Sequence, residues 1–228
     1  MAITRSPRVI TALFLVAGLA LILFSLPPLA AALTFAGIAA LAGWEWGGLM
    51  KLDRPAAVMY ALFMLLVCWQ LTVAAPELMP AFLGLSAAFW LLVVPLWLRS
   101  KWSLSGNDAF GYVIGAVVIL PTWAAMVMLH AVSVWLLLAA MALVWVADIS
   151  AYFAGRAFGR NKLAPAISPG KTWEGVAGAV VGVLIYGGVV LGFSPLGGKL
   201  PLPLPLTVLM LLLLTAVSVM GDLFESLL

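Results

Sequence analysis

Charge is scarce in this sequence. Only 8% of its 228 residues are Asp, Glu, Lys or Arg, whereas an ordinary soluble domain carries about 25%. That shortage excludes a water-exposed globular fold. Cysteine is scarcer still. Cys68 is the single one, so neither a disulfide framework nor a cysteine-based metal site is open to the chain. Its place inside an apolar run reads as a small buried residue. A continuous basic run or a basic stripe interleaved with aromatics is also missing. The net charge of +3 and the pI near 9.2 therefore do not point to nucleic acid.

What is abundant is apolar surface. Hydrophobic residues make up 66% of the chain and the mean hydropathy is +1.23. A helix needs roughly 20 apolar residues to cross a bilayer. The sequence divides into about eight such segments with little between them, so the expected fold is an all-α, polytopic transmembrane helical bundle forming one integral-membrane domain. The spans run from about Val9 to Leu26, Leu29 to Met50, Pro55 to Ala75, Pro80 to Leu98, Ala109 to Leu129, Val132 to Gly155, Thr172 to Phe193 and Leu204 to Leu228. The first is longer than a signal-peptide core and lacks a small-residue cleavage site before Pro27, so it is expected to be retained. Residues 1–130 hold the first five spans, and 131–228 begin the chemically interesting part.

Positive residues favour cytoplasmic loops. With the N-terminus inside, every Lys and Arg from Arg5 to Lys171 falls on the cytoplasmic side and Lys199 alone falls outside. His130 then lies externally, a poor place for a base acting on a cytoplasmic substrate. Pro121 should kink or split the fifth span. The repeated Pro-Leu of 201–206 should resist helix until the eighth begins. Gly43 with Gly47, Gly111 with Gly115, Gly178 with Gly182 and Gly188 with Gly192 form small-xxx-small pairs that let helix backbones approach. Packing within one bundle accounts for them, with a homodimer as the alternative. Trp44, Trp46, Trp97, Trp102 and Trp173 sit near expected membrane interfaces, where indole rings are comfortable.

The scarce charges concentrate between Asp148 and Gly175, in DISAYFAGRAFGRNKLAPAISPGKTWEG. Acidic groups in membrane helices need a partner or a wet cavity. Asp148 lies about two turns before the end of the sixth span, and Asp222 lies at a comparable depth in the eighth. Asp222, Glu225 and Ser226 share a helix face by their i, i+3, i+4 spacing. Were the sixth and eighth spans neighbours, Asp148 and Asp222 would converge on one Mg²⁺ or similar divalent cation, with a second cation as an option. The competing reading pairs Asp148 with Arg156 or Lys171 simply to neutralise a buried charge. Ser168-Pro169-Gly170-Lys171 reads as a helix start with Ser168 as N-cap and Thr172 as the alternative cap. Amides at such a start, with Lys171, attract anions. A plain capped helix anchored by its lysine is the blander account. Gly170-Lys171-Thr172 imitates the end of a P-loop, but Pro165 stands where a further glycine is required and no strand precedes the loop in this reading. Glu45, near the cytoplasmic end of the second span, is a weaker candidate for the same cavity, and Glu77 reads as a solvated loop residue.

At three places the sequence resembles the phosphatidate cytidylyltransferase family, the CDP-diacylglycerol synthases. These are Asp148-Ile149-Ser150-Ala151-Tyr152 with Gly155-Arg156 and Gly159-Arg160, then Ile167 to Gly175, then Gly221-Asp222-Leu223-Phe224-Glu225-Ser226. The resemblance extends more loosely over the whole chain, including Trp44-Glu45-Trp46. It implies an enzyme of the bacterial inner membrane, its site facing the cytoplasm, that joins CTP and phosphatidate into CDP-diacylglycerol and pyrophosphate. On that footing Asp148, Lys171 and Asp222 are the catalytic candidates. Asp148 and Asp222 are assigned to the metal, with Glu225 as a weaker ligand. Ser168, Lys171 and Thr172 are assigned to the triphosphate. Arg156, Arg160 and Lys162 are expected to attract CTP and the lipid head group, and Glu174 is counted among the substrate-binding residues.

The family pattern continues past the position of Ser226 with a Lys-Arg pair and a further signature, whereas this chain ends at Leu228. A fragment of a longer product, lacking part of the catalytic apparatus, is the expectation. Two rivals stand beside this reading. One is another lipid-phosphate nucleotidyltransferase or a polyprenol kinase. The other is a transporter, which would place polar residues at mid-membrane and show an internal repeat.

Overall fold

The computed structural model describes residues 6–102, 109–193 and 203–228. Helices dominate them: α1 (Ser6–Ser25), α2 (Pro28–Leu49), α3 (Arg54–Val73), α4 (Met79–Ala88), α5 (Val94–Ser100), α6 (Ala109–Val132), α7 (Val134–Phe158), α8 (Trp173–Phe193) and α9 (Leu204–Leu227). Among the described residues, 7 helical segments are long and apolar enough to cross a membrane, and the described apolar part of α1, Val16–Ser25, is shorter. Large apolar side chains such as Phe14, Leu92, Ile185 and Leu213 lie exposed on these helices. Hydrocarbon, not water, is the solvent that tolerates such a surface. The chain is a multi-pass membrane protein.

Element ends follow local chemistry. The Asp53 side chain accepts the Ala56 amide N–H at 3.0 Å and caps α3, with Pro55 in the first turn, where its missing N–H costs nothing. Pro203 precedes α9 in extended conformation. α6 runs through Pro121 as one element instead of splitting. Pro121 is fully buried, and the next residue, Thr122, returns its hydroxyl to the Val118 carbonyl at 2.7 Å. The segment Pro76–Ser100 is more irregular than expected. A 3-10 turn at Pro76–Leu78 and a π-helical turn at Phe89–Val93 flank α4, and the π turn leads into α5. Arg5, Lys199, Pro201 and Leu202 lie outside the described residues.

The helices group into two compact units, one from Met1–Leu83 and Tyr112–Val134, the other from Gly84–Gly111 and Trp135–Leu228. In the first, α2 and α3 meet where glycine leaves room. A Cβ on Gly43 would lie 2.9 Å from Met64, and one on Gly47 2.9 Å from Ala57. Tyr60 donates to the Tyr112 carbonyl at 2.7 Å, and Trp123 donates to that of Ala32 at 3.3 Å. His130 is buried and its Nε2 lies 3.1 Å from the Leu23 carbonyl. Since a carbonyl only accepts, that nitrogen carries the proton. Trp46 in this unit and Trp97 in the other, both near helix ends, are buried within the protein. Each fills a helix-packing gap, while Trp44, Trp102 and Trp173 remain exposed.

The second unit holds the residues of interest. Leu143 and Ala147 of α7, Ala179 and Val183 of α8, and Leu211 of α9 form one buried cluster. The Tyr186 hydroxyl donates to the Ala139 carbonyl at 2.9 Å and ties α8 to α7. Separately, Phe224 of α9 sits among aromatic rings, with Phe89, Trp90 and Trp97 at centroid distances of 6.0, 5.7 and 5.2 Å.

Candidate active site

Between α7 and α8 the chain forms an antiparallel hairpin, β1 (Lys162–Ala164) and β2 (Ser168–Thr172), with Lys162 opposite Thr172 and Ala164 opposite Ser168. This corrects the reading of Ser168 as a helix cap. Pro169 forces an extended conformation on Ser168, and that conformation suits a strand as well as an N-cap. Pairing with β1 decides between them. The cap of α8 is Thr172, whose Oγ1 accepts the Gly175 amide N–H at 3.1 Å.

Two further contacts lock the hairpin onto α8. The Trp173 amide donates to the Asn161 carbonyl at 3.0 Å. The Glu174 carboxylate accepts from the Asn161 backbone N–H at 3.2 Å and from its side-chain Nδ2 at 2.7 Å. Glycines let α7 approach closely here. A Cβ on Gly155 would lie 3.0 Å from the Thr172 hydroxyl and 3.7 Å from the Gly175 Cα, and one on Gly175 would lie 3.0 Å from the Ala151 carbonyl.

This packing encloses a cavity of about 760 Å³, lined by Asp148 and Arg156 of α7, Ser168, Lys171 and Thr172 of β2, and Asp222 of α9, among others. Its volume falls in the range of small-ligand sites, about 300–1,000 Å³. Apolar surface predominates in its walls. Lys171 forms an ion pair with Asp222. Its Nζ is buried and makes no hydrogen bond besides among the described residues. Asp148 lies within electrostatic range of Asp222, Lys171 and Glu225. The Arg156 guanidinium donates to the Tyr152 hydroxyl at 2.9 Å. Neither pairing foreseen for Asp148 is made; Lys171 goes to Asp222 instead.

The structure thus brings six of the sequence-selected residues onto one cavity. Arg160 and Lys162 are exposed near the hairpin and do not line it. Glu174 is engaged with Asn161 and lines a separate, shallower groove between α7 and α8 with Ser150, Phe153 and Gly178. Glu225 is also absent from the cavity lining, and the Ser226 hydroxyl turns back to the Asp222 carbonyl at 2.8 Å. Sequence reasoning gave no role to Tyr152 or Asn161. The only signal for them was their place inside the motif stretches.

Chemically, the cavity offers two carboxylates and an ammonium against an apolar wall. Among the described residues no three His, Cys, Asp or Glu side chains cluster as a metal-binding group. Two carboxylate ligands nevertheless fit a hard cation such as Mg²⁺, which keeps water and takes substrate phosphate oxygens for the remaining positions.

A profile described as the cytidylyltransferase family matches residues 6–228. The chain is 36% identical over 157 residues to a phosphatidate cytidylyltransferase of Pseudomonas aeruginosa, covering 65% of this chain and 56% of that protein. It is 31% identical over 242 aligned residues to the phosphatidate cytidylyltransferase of Haemophilus influenzae, covering 96% of this chain and 84% of that one. To the Bacillus subtilis protein of the same name it is 39% identical over 89 residues, 39% of this chain and 32% of the other. The first of these matches therefore spans little more than half of its relative. No solved structure matches significantly. With the profile reaching from α1 to the end of α9, across the hairpin and both carboxylate-bearing helices, the chain belongs to the cytidylyltransferase family.

Proposed function

We propose that this protein transfers the cytidylyl group of CTP to phosphatidate, forming CDP-diacylglycerol and releasing pyrophosphate. One observation carries the reading: a cavity bounded by membrane helices that combines a buried ammonium, Lys171, with the carboxylates of Asp148 and Asp222. The names of the relatives in Pseudomonas aeruginosa and Haemophilus influenzae supply the substrates.

In this reading a phosphate oxygen of phosphatidate attacks the α-phosphorus of CTP. The new P–O bond forms as the bond from that phosphorus to the β-phosphate oxygen breaks, and pyrophosphate departs with the electron pair. Lys171, Ser168 and Thr172 bind the triphosphate, and Arg156 draws in the anionic head group. Arg160 and Lys162, on the exposed hairpin, raise the local concentration of both anions. Asp148 and Asp222 would hold the divalent cation, with Glu225, which acts electrostatically on Asp148, as the weaker ligand candidate. Such a cation, when bound, neutralises the triphosphate and the charge developing on the leaving group. The protein's own contribution is to align two anions that repel each other in water. The site then faces the cytoplasm across the inner membrane, where CTP is found. The clustering of Arg156, Arg160, Lys162 and Lys171 at this end supports that orientation.

The test is incorporation of label from CTP into chloroform-extractable lipid, with phosphatidate and Mg²⁺. It compares this chain with a form extended through the C-terminal signature that the family resemblance implies. CDP-diacylglycerol that disappears with EDTA and on Asp222→Asn supports the reading. Consumption of a different lipid phosphate by both forms would overturn it in favour of another nucleotidyltransferase or a kinase.

A further inference from the structure

Each charged group in the cavity can be asked what it does before substrate arrives. Asp222 is tied to Lys171, so the carboxylate best placed beside Asp148 to take a cation already holds one positive charge. Lys171 in turn has a buried Nζ with no other hydrogen bond among the described residues. An ammonium has three N–H donors and no acceptor, so the present pairing leaves donor capacity unused. Asp148 makes no ion pair among the described residues. Arg156, the other cation in the lining, is directed to the Tyr152 hydroxyl and not to either carboxylate.

Two rules constrain what can follow. The Asp222 carboxylate is half exposed and water can solvate it, but the Lys171 Nζ is buried, and a buried charge is not stripped of its partner without cost. A divalent cation beside an ammonium is repelled by it. Lys171 therefore gives up Asp222 only when another anion takes its place, and Asp222 accepts a cation only once Lys171 has gone to that anion.

We propose that Lys171 is an exchangeable counterion of Asp222: it holds the carboxylate in the substrate-free site and transfers to a substrate phosphate, releasing Asp222 to the divalent cation. Polyphosphate and metal then enter the site as a coupled pair. The substrate-free enzyme keeps its cation affinity low and does not trap free Mg²⁺ or free nucleotide in a dead-end state. This role deepens the cytidylyltransferase reading and rests on it for the identity of the nucleotide, but not for the exchange itself.

Two independent binding measurements on the detergent-solubilised chain test the exchange without turnover. In the first, Mn²⁺ is titrated with no anion present and followed by electron paramagnetic resonance. Lys171→Met should bind Mn²⁺ about fivefold or more tightly than wild type, the lower end of ordinary coupling between sites. Arg156→Gln, which removes an equal charge from the same cavity without touching Asp222, should change the affinity by less than about twofold. In the second, inorganic tripolyphosphate is titrated calorimetrically in EDTA. Asp222→Asn should bind it about fivefold or more tightly than wild type, because Lys171 no longer has a competing partner.

Unchanged or weakened binding in either arm overturns the exchange. So does an equal gain from Arg156→Gln, which would mean a general field effect. Loss of the folded state in both Lys171→Met and Asp222→Asn would make the pair a structural brace and overturn it as well. Repeating the second arm with CTP separates the two levels of the argument. Affinity for CTP no better than for tripolyphosphate counts against the cytidylyl reading and leaves the exchange standing.

Discussion

Glu174, the second residue of α8, accepts hydrogen bonds from both the backbone and the side chain of Asn161, which precedes β1. One carboxylate thereby closes the hairpin that carries Lys171 into a loop fixed at both ends, since the Trp173 amide also binds the Asn161 carbonyl. Glu174 acts here as a positioning residue. Glu174→Ala should free the hairpin and accelerate hydrogen exchange at the Asn161 and Trp173 amides severalfold, with a matching rise in KM for nucleotide. Glu174→Gln keeps an accepting oxygen and should recover most of the protection. Equal exchange in all three proteins would mean that the clamp is inert.

Thr172 has two duties within one hydroxyl. Its oxygen accepts the Gly175 N–H, while its hydrogen remains available to a phosphate in the cavity it lines. Thr172→Ala should lose the cap, costing about 1 kcal/mol of stability, together with any contact to substrate. Thr172→Ser keeps the hydroxyl and should match wild type in nucleotide affinity. Thermal unfolding in detergent with nucleotide titration separates the two effects.

The spans were legible because a bilayer demands uninterrupted apolar runs of about 20 residues, and few charges broke them. Expected and observed starts agree closely at α2 and α9, where Pro28 and Leu204 open the helices. The hairpin was not legible. Lys162–Ala164 is too short to carry an alternating pattern, and an extended Ser168 before Pro169 serves a strand and a helix cap equally. What selects the strand is the bonding of Asn161 with Trp173 and Glu174, and no local pattern encodes it. The convergence of Asp148 and Asp222 could be suspected, since lone carboxylates in membrane helices need company. That Lys171 would pair with Asp222, leaving Asp148 with no ion pair among the described residues, depends on how β2 lies against α9. The burial of Trp46 and Trp97 was not legible for a related reason: position near a helix end says nothing about which face points inward.

Small residues on α8 differ sharply in what surrounds them. A Cβ on Gly178 would overlap that of Ala154 and lie 2.9 Å from the Ser150 carbonyl oxygen, whereas Gly188 has nothing within 4 Å. Backbone cannot yield as a flexible side chain does, so Gly178→Ala must push α8 away from α7. The expected destabilisation is about 1–3 kcal/mol, as for other overpacked sites, with loss of nucleotide binding because Thr172 and Gly175 follow α8. Gly188→Ala should be neutral or slightly stabilising, in line with the better helix propensity of alanine. Unfolding by SDS titration of the two variants side by side measures the contrast.

Phe224 offers the most direct check on how the membrane interior serves the cavity. It is buried one helical step beyond Asp222 and Leu223, and it is held by Phe89, Trp90 and Trp97 in edge-to-face contacts. Two of these partners, Phe89 and Trp90, lie in the π-helical turn, and such turns are frequent at functional sites. The turn brings both rings onto α9. Removing the ring in Phe224→Ala should cost about 3 kcal/mol or more of stability. It should also let α9 shift, and a displacement of Asp222 by about 1 Å is enough to lower kcat by about a hundredfold. Phe224→Leu fills much of the same space and loses only the aromatic contacts, about 0.5–1.5 kcal/mol for each pair, so its kcat should stay within about tenfold of wild type. Near-UV circular dichroism shows whether each variant is folded, because Trp90 and Trp97 flank the substituted ring. A folded Phe224→Ala protein with unaltered kcat would mean that Asp222 is held in place without the aromatic clamp, by Lys171 and the α8–α9 packing alone.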